Sequence, residues 1–204
     1  IHIIGLTETN WRDKDIDKHF PEYQWFGRKT QGKVGGVGFL IHETVLIGKN
    51  ISVHNGKNKN SLFILIKETN KHRGTLLALV YGKSQPTKEQ TEQQWNEYTE
   101  DIEKIKRTAK EQFDIIFMGD INARIGNPLN NFEKTYIGKF GENIRNNAGE
   151  RALQFFIDNN LVCLNNRVDG VPKYTYKRRG LEYSRSIIDV ICISKSMFRK
   201  GQSA

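Results

Sequence analysis

The sequence predicts a mixed α/β fold in which strands dominate, with sheets packed together and helices outside. Three observations lead there. The first 81 residues alternate apolar runs with turn signals such as His54-Asn55-Gly56, the pattern of successive strands. Residues 87–112 change period: Trp95, Tyr98, Ile102, Ile105 and Ala109 recur at three and four, with Glu, Gln and Lys between them. That is an amphipathic helix covering one face of a sheet. The remainder returns to short apolar runs around one further helix.

In chain order, His2–Thr7 reads as a short buried strand with Glu8 at its end. Lys33–His42 carries Val34, Val37, Phe39 and Ile41 among glycines and reads as a strand. Val45–Val53, Leu62–Ile66 and Gly74–Tyr81 follow as strands. After the 87–112 helix comes a strand over Asp114–Gly119, then a loop rich in Asn and Gly from Ile125 to Asn147. Gly149–Asn159 reads as a second helix with Leu153, Phe156 and Ile157 inward. Leu161–Leu164, Tyr174–Tyr176 and Ser186–Ile193 close the chain as strands. The chain has no internal repeat, low-complexity segment or linker, and is expected to be one domain over residues 1–204.

The 204 residues are 37% hydrophobic and 27% charged, which excludes a disordered chain. No apolar run approaches the roughly 20 residues that cross a bilayer, so no membrane association is expected. The first residue is Ile1 rather than Met, so the lack of a targeting signal decides little. The formal charge of +9 favours a polyanionic partner, most often nucleic acid. A local basic knot comprises Lys173, Lys177, Arg178, Arg179 and Arg185. Cys163 and Cys192 lie in apolar runs, form no Cys-x-x-Cys pair and have no nearby His, so they read as buried free thiols rather than zinc ligands. The glycines from Gly32 to Gly38 precede a strand and lack a Gly-Lys-Ser/Thr ending before a helix, which argues against a phosphate loop.

The candidate chemistry lies at strand ends. The run Ile115-Ile116-Phe117-Met118 ends in Gly119-Asp120-Ile121-Asn122. A spacing of two puts Asp120 and Asn122 on one face of an extended segment. Gly119 beside them leaves room for close backbone approach to a ligand. Asp120 can bind a metal or take a proton, and Asn122 can hydrogen-bond a phosphate oxygen without adding negative charge. The plainer reading is a strand followed by an Asx-type turn. Asp189 sits inside Ile187-Ile188-Asp189-Val190-Ile191-Cys192. A carboxylate within a continuous apolar strand is costly unless paired, hydrogen-bonded or metal-bound.

Leu6-Thr7-Glu8-Thr9, Gly119-Asp120-Ile121-Asn122 and Ile188-Asp189-Val190 resemble, in order, motifs of the endonuclease/exonuclease/phosphatase superfamily. The chain is most similar in pattern to the apurinic-like endonuclease domain of non-LTR (LINE-type) retrotransposons. Gly35–Ile41, Val80-Tyr81 and the segment from Gly141 to Leu164 support the resemblance. That segment includes Asn146-Asn147-Ala148-Gly149-Glu150-Arg151 and Asn159-Asn160-Leu161. The resemblance implies two packed mixed β-sheets flanked by helices, a four-layer α/β sandwich, here truncated at both ends. It implies an intracellular, nuclear, DNA-nicking phosphodiesterase that leaves a free 3′-hydroxyl for a fused reverse transcriptase. Glu8 would bind Mg²⁺, or Mn²⁺ in its place. Asp120 would orient or deprotonate water, Asn122 would hold the scissile phosphate, and Tyr81 would contact the phosphate or leaving oxygen. Asp189 would orient a catalytic His. A basic hairpin carrying Lys177, Arg178, Arg179 and Tyr183 would probe DNA.

The chain also departs from the pattern. The Asn-bearing strand that precedes the Glu8 strand in the family and the Ser-Asp-His strand that follows Asp189 both lie outside residues 1–204. None of His2, His19, His42, His54 and His72 stands at the matching place. Gly82-Lys83-Ser84 replaces the usual turn after Tyr81. The expectation is a weak or inactive nuclease as it stands. Alternatives are an inert nucleic-acid-binding relative, or a phosphodiesterase of the same fold acting on inositol phosphates, sphingomyelin or RNA.

Overall fold

The computed structural model describes residues 1–9, 19–28, 35–68, 73–109, 112–167, 174–177 and 185–202. The chain divides into two compact units, one of residues 1–81 and 97–119, the other of residues 82–96 and 120–204.

The first unit is built on two sheets. In one, β3 (Val37–His42) lies between β1 (Ile3–Thr7) and β2 (Tyr23–Arg28), antiparallel to both. The other runs in the order β4 (Lys49–Asn55), β5 (Ser61–Glu68), β6 (Arg73–Tyr81), β7 (Gln112–Asp120), with β4–β5 and β5–β6 antiparallel. Alternation fixes which side chains face which layer. Leu62, Ile64, Ile66, Leu77 and Leu79 meet Val37, Phe39 and Ile41 of the first sheet in one core. Residues of opposite parity turn the other way, and Phe117 of β7 meets Tyr98 of α2 (Lys88–Ala109) with ring centroids 6.4 Å apart. β5 and β6 are therefore buried on both faces, which is why they read as continuous apolar runs.

Four differences from the sequence reading have local causes. Val45–Val53 is not one strand. Its start belongs to α1 (Glu43–Leu46), where His42 Nδ1 accepts the Thr44 amide. Gly48 at φ 66° then turns the chain into β4. The strand expected over Lys33–His42 begins at Val37, and Lys33 and Val34 lie outside the described residues. β2 was not anticipated. The loop expected over Ile125–Asn147 contains α3 (Asn131–Ile137), whose Asn130 cap accepts the Glu133 amide.

In the second unit, β8 (Leu161–Cys163) pairs antiparallel with β11 (Asp189–Ser194). α4 (Asn147–Asp158) packs Phe155 and Phe156 on Trp95, with ring centroids 5.0 and 6.2 Å away. β9 (Tyr176–Lys177) and β10 (Arg185–Ser186) form a two-stranded ladder, and α5 (Lys195–Gln202) follows β11. The strand expected over Ser186–Ile193 is thus broken at Ile187-Ile188, and α5 was not foreseen. Cys163 and Cys192 are directly opposed across β8–β11 as buried free thiols. Their mutual hydrogen bond lowers the Cys163 pKa, while burial raises that of Cys192. Among the described residues no helix is long and apolar enough to cross a membrane.

Candidate functional site

In the first unit, Glu8 follows β1 and Tyr81 ends β6. Tyr81 Oη donates to Glu8 Oε1 at 2.5 Å. Glu8 is exposed and sits at φ 53°, a left-handed conformation that a Glu adopts only at a cost. Its carboxylate is thus aimed by backbone conformation and by a charge-assisted hydrogen bond. Tyr81, expected as a phosphate contact or a contact to the leaving oxygen, donates its hydroxyl to Glu8 here.

Gly119 also lies in this unit, at φ 139°. A Cβ there would stand 1.9 Å from the Val80 carbonyl oxygen. The room that Gly119 provides is filled by the neighbouring strand of the chain itself, which corrects its reading as a place for a ligand.

In the second unit, Asp120 and Asn122 are joined by a turn. The Asn122 amide donates to Asp120 Oδ1 at 2.8 Å, and Asn122 takes φ 48°. The two residues are therefore not neighbours on one face of an extended segment, as spacing suggested; the Asp120 carboxylate and the Asn122 backbone close an Asx turn. Gly82 grips it from two sides: the Gly82 amide donates to the Asp120 carbonyl at 2.7 Å, and Asn122 Nδ2 donates to the Gly82 carbonyl at 2.9 Å. A Cβ on Gly82 would meet the Ile121 carbonyl oxygen at 2.2 Å. The glycine that departs from the family pattern is thus required by packing. An Asn amide has two N–H donors; Gly82 takes one, and the second suits a phosphate oxygen.

Asp189 is the first residue of β11 and only half-buried, not a carboxylate inside an apolar strand. The Thr175 hydroxyl oxygen accepts the amides of Ile188 and Asp189 at 3.0 and 3.1 Å, which breaks the run. Ile121 donates to the Ile188 carbonyl at 2.8 Å, so the Asp120–Asn122 turn and the entry to β11 are fastened together. Asn165 completes the brace, donating to the Asp189 carbonyl and accepting the Ile191 amide.

Two residues that sequence reasoning missed hold this region. Glu142 is 3% exposed. It pairs with Arg124 and accepts the Ile187 amide, and Arg124 reaches the Arg185 carbonyl at 3.4 Å. No local pattern marks Glu142 as buried. The Asn146–Arg151 stretch does similar work. Asn146 Oδ1 accepts both the Gly149 and the Arg124 amides, capping α4 and holding the chain after Asn122. A Cβ on Gly149 would lie 1.8 Å from the Arg124 carbonyl oxygen.

Of the expected DNA-contacting residues, Lys177 is exposed on β9, paired in register with Arg185. Arg178, Arg179 and Tyr183 lie outside the described residues.

Among the described residues no group of three or more His, Cys, Asp or Glu could hold a metal on protein ligands alone. That donor set does not fit zinc. A hard cation that keeps most of its waters needs as few as one protein carboxylate, and the exposed Glu8 would be that ligand for Mg²⁺ or Mn²⁺.

No protein-family model matches the chain. Craniofacial development protein 2 of Bos taurus is 24% identical in an alignment 198 residues long that covers 94% of this chain and 31% of that protein. The chain therefore spans less than a third of the length of this curated relative. Among solved structures, the AP endonuclease LMAP from Leishmania major matches with a TM-score of 0.67 and 10% identity, over 95% of this chain and 70% of that one. The human Nocturnin catalytic domain with bound sulfate gives 0.62 and 16%, over 95% and 69%. The endonuclease domain of TRAS1, a telomere-specific non-LTR retrotransposon, gives 0.56 and 17%, over 97% and 75%. These likenesses and the layered sheets agree with the motif pattern: the chain has the endonuclease/exonuclease/phosphatase fold.

Proposed function

We propose that the chain is a phosphodiester hydrolase acting on DNA, a nicking endonuclease of the retrotransposon type that uses Mg²⁺ or Mn²⁺. The observation that carries this is the Asp120–Asn122 turn: the Asp120 carboxylate accepts the Asn122 backbone amide, the Asn122 carboxamide is held on Gly82, and among the described residues its second N–H has no partner. In this reading Asp120 orients or deprotonates water, and Asn122 donates to a non-bridging phosphate oxygen. Tyr81 holds Glu8 in place to receive the cation. When bound, the cation supplies positive charge at the phosphoryl oxygens. Lys177, Arg178, Arg179 and Tyr183 contact DNA, as the net charge of +9 favours. Asp189, at the start of β11, is the carboxylate that would orient a catalytic histidine.

The resemblance to retrotransposon endonucleases and the fold likeness to the TRAS1 domain support DNA as substrate. The motif resemblance alone further implies a nuclear enzyme whose 3′-hydroxyl product primes a fused reverse transcriptase. The net charge of +9 also suits a second reading, a nucleic-acid-binding protein without turnover.

Supercoiled plasmid and an inositol polyphosphate, each incubated with the chain in Mg²⁺ and in EDTA, separate these readings. Slow Mg²⁺-dependent nicking that leaves polymerase-extendable ends is expected. Turnover of the inositol phosphate alone would move the assignment to another phosphodiester, and DNA binding without nicking would favour the inert relative.

A further inference from the structure

The second unit carries a cleft to which none of the residues discussed for hydrolysis contributes. Asn131, Lys134, Thr135, Gly138, Lys139 and Arg167 line a volume of about 340 Å³, in the range of small-ligand pockets. Three of the six are cationic and none is acidic. Arg167 is held rigidly: Nε donates to the Cys163 carbonyl at 2.8 Å, Nη2 to the Thr135 carbonyl at 2.6 Å, and the guanidinium lies 4.5 Å from the Phe198 ring centre. A fixed guanidinium loses little entropy on meeting an anion. Gly138, at φ 75°, lets the end of α3 approach the Asn166 carbonyl, which accepts the Lys139 and Phe140 amides at 3.1 Å. The cleft is therefore built before any ligand arrives.

Among the described residues its cationic charge meets aromatic rings rather than carboxylates. Lys134 and Lys139 are exposed, and among the described residues neither has a carboxylate at ion-pair distance. The acid nearest in sequence, Glu133, is engaged by Arg145 at 2.7 Å.

We propose that this cleft binds phosphate groups, carried either by a nucleic-acid backbone or by a small phosphate compound. Three convergent cations with a hydroxyl and an amide nearby suit a multiply charged oxyanion. The proposal rests on the cleft and stands apart from the hydrolytic reading and from the basic hairpin.

The test uses the 204-residue chain, the double variant Lys134→Ala/Lys139→Ala and a charge-matched control, Lys49→Ala/Lys104→Ala. Arg167 is left intact because it braces two carbonyls. Binding of a short DNA duplex is measured against salt, and inorganic pyrophosphate is titrated while the amide resonances of Gly138 and Lys139 are followed. Removing one lysine–phosphate ion pair flattens the log–log salt slope by about 0.9. Backbone binding predicts a slope flatter by nearly 2 in the double variant, and a smaller change in the control. A small-phosphate site predicts pyrophosphate-induced shifts at Gly138 and Lys139 that vanish in the double variant, with the DNA slope unchanged. An unchanged slope together with no such shifts in the parent chain would overturn the proposal. Loss of nicking in an Asp120 variant would leave both readouts as they were, so the two ideas fail separately.

Discussion

The Tyr81 hydroxyl donates to Glu8 Oε1 at 2.5 Å, joining the end of β6 to the residue that follows β1. Glu8 holds a left-handed backbone at φ 53°, so the hydrogen bond fixes the direction of a carboxylate that would otherwise rotate in solvent. Tyr81→Phe is expected to lower stability by only about 1 kcal/mol but to raise the Mg²⁺ concentration giving half-maximal nicking several-fold. Metal titration of the nicking rate, beside a urea melt, checks both; an unchanged Mg²⁺ dependence would make the hydrogen bond purely structural.

Gly82→Ala tests whether the turn is held by its partner. A methyl group would collide with the Ile121 carbonyl at 2.2 Å, and relief requires moving Gly82 off Asp120 and Asn122. A loss of about 3 kcal/mol is expected, in the upper range for single substitutions. Ser84→Ala, two residues on, should change stability by less than about 0.5 kcal/mol. Equal melting temperatures for the two variants would contradict this account.

The central strands and the long helix were legible because their burial is written in local periodicity. β5, β6 and β7 read as apolar runs, since sheet on one side and helix on the other cover them. α2 shows the three–four spacing of one buried face. β2 escaped because Tyr23–Arg28 is an edge strand with mixed polarity. α3 escaped because its stability comes from the Asn130 cap and the Arg145–Glu133 pair, a cap and a tertiary contact hidden in Asn-rich sequence. Strand-end position pointed to Glu8, Tyr81, Asp120 and Asn122. Their hydrogen bonds needed the three-dimensional approach of β1 to β6, and of Gly82 to the turn. Asp189 was over-read because nothing in Ile187–Cys192 announces that Thr175 takes two of its amides.

Glu133 supplies a pH dependence. Its hydrogen bond from Arg145 holds its pKa below the ordinary value of 4.5. The folded pKa is lower than the unfolded one, so the pair's contribution is full above pH 4.5 and is lost as pH falls through the folded value. Glu133→Gln should therefore melt lower than the parent at pH 7. The gap should close as pH is lowered below 4.5. Thermal melts from pH 7 down to the acid limit of folding measure this, and a gap that stays constant would refute it.

Lys177→Ala/Arg178→Ala/Arg179→Ala addresses the basic hairpin. Removing three cations that meet phosphates should flatten the log–log salt slope of DNA binding by about 2.7 and weaken binding about equally across sequences. Fluorescence anisotropy across a salt series reads the slope. The same slope in parent and variant would make these charges a solvated tip with no part in binding.

The central claim is that Asp120 and Asn122 perform phosphodiester chemistry rather than merely closing a turn. The most direct measurement is the Mg²⁺-dependent plasmid-nicking rate of the chain beside Asp120→Ala and Asn122→Ala, with DNA affinity measured in parallel. The account predicts slow nicking by the parent, a fall of at least about 100-fold in each variant, and DNA affinity within about twofold. Nicking by Asp120→Ala at the parental rate would contradict it.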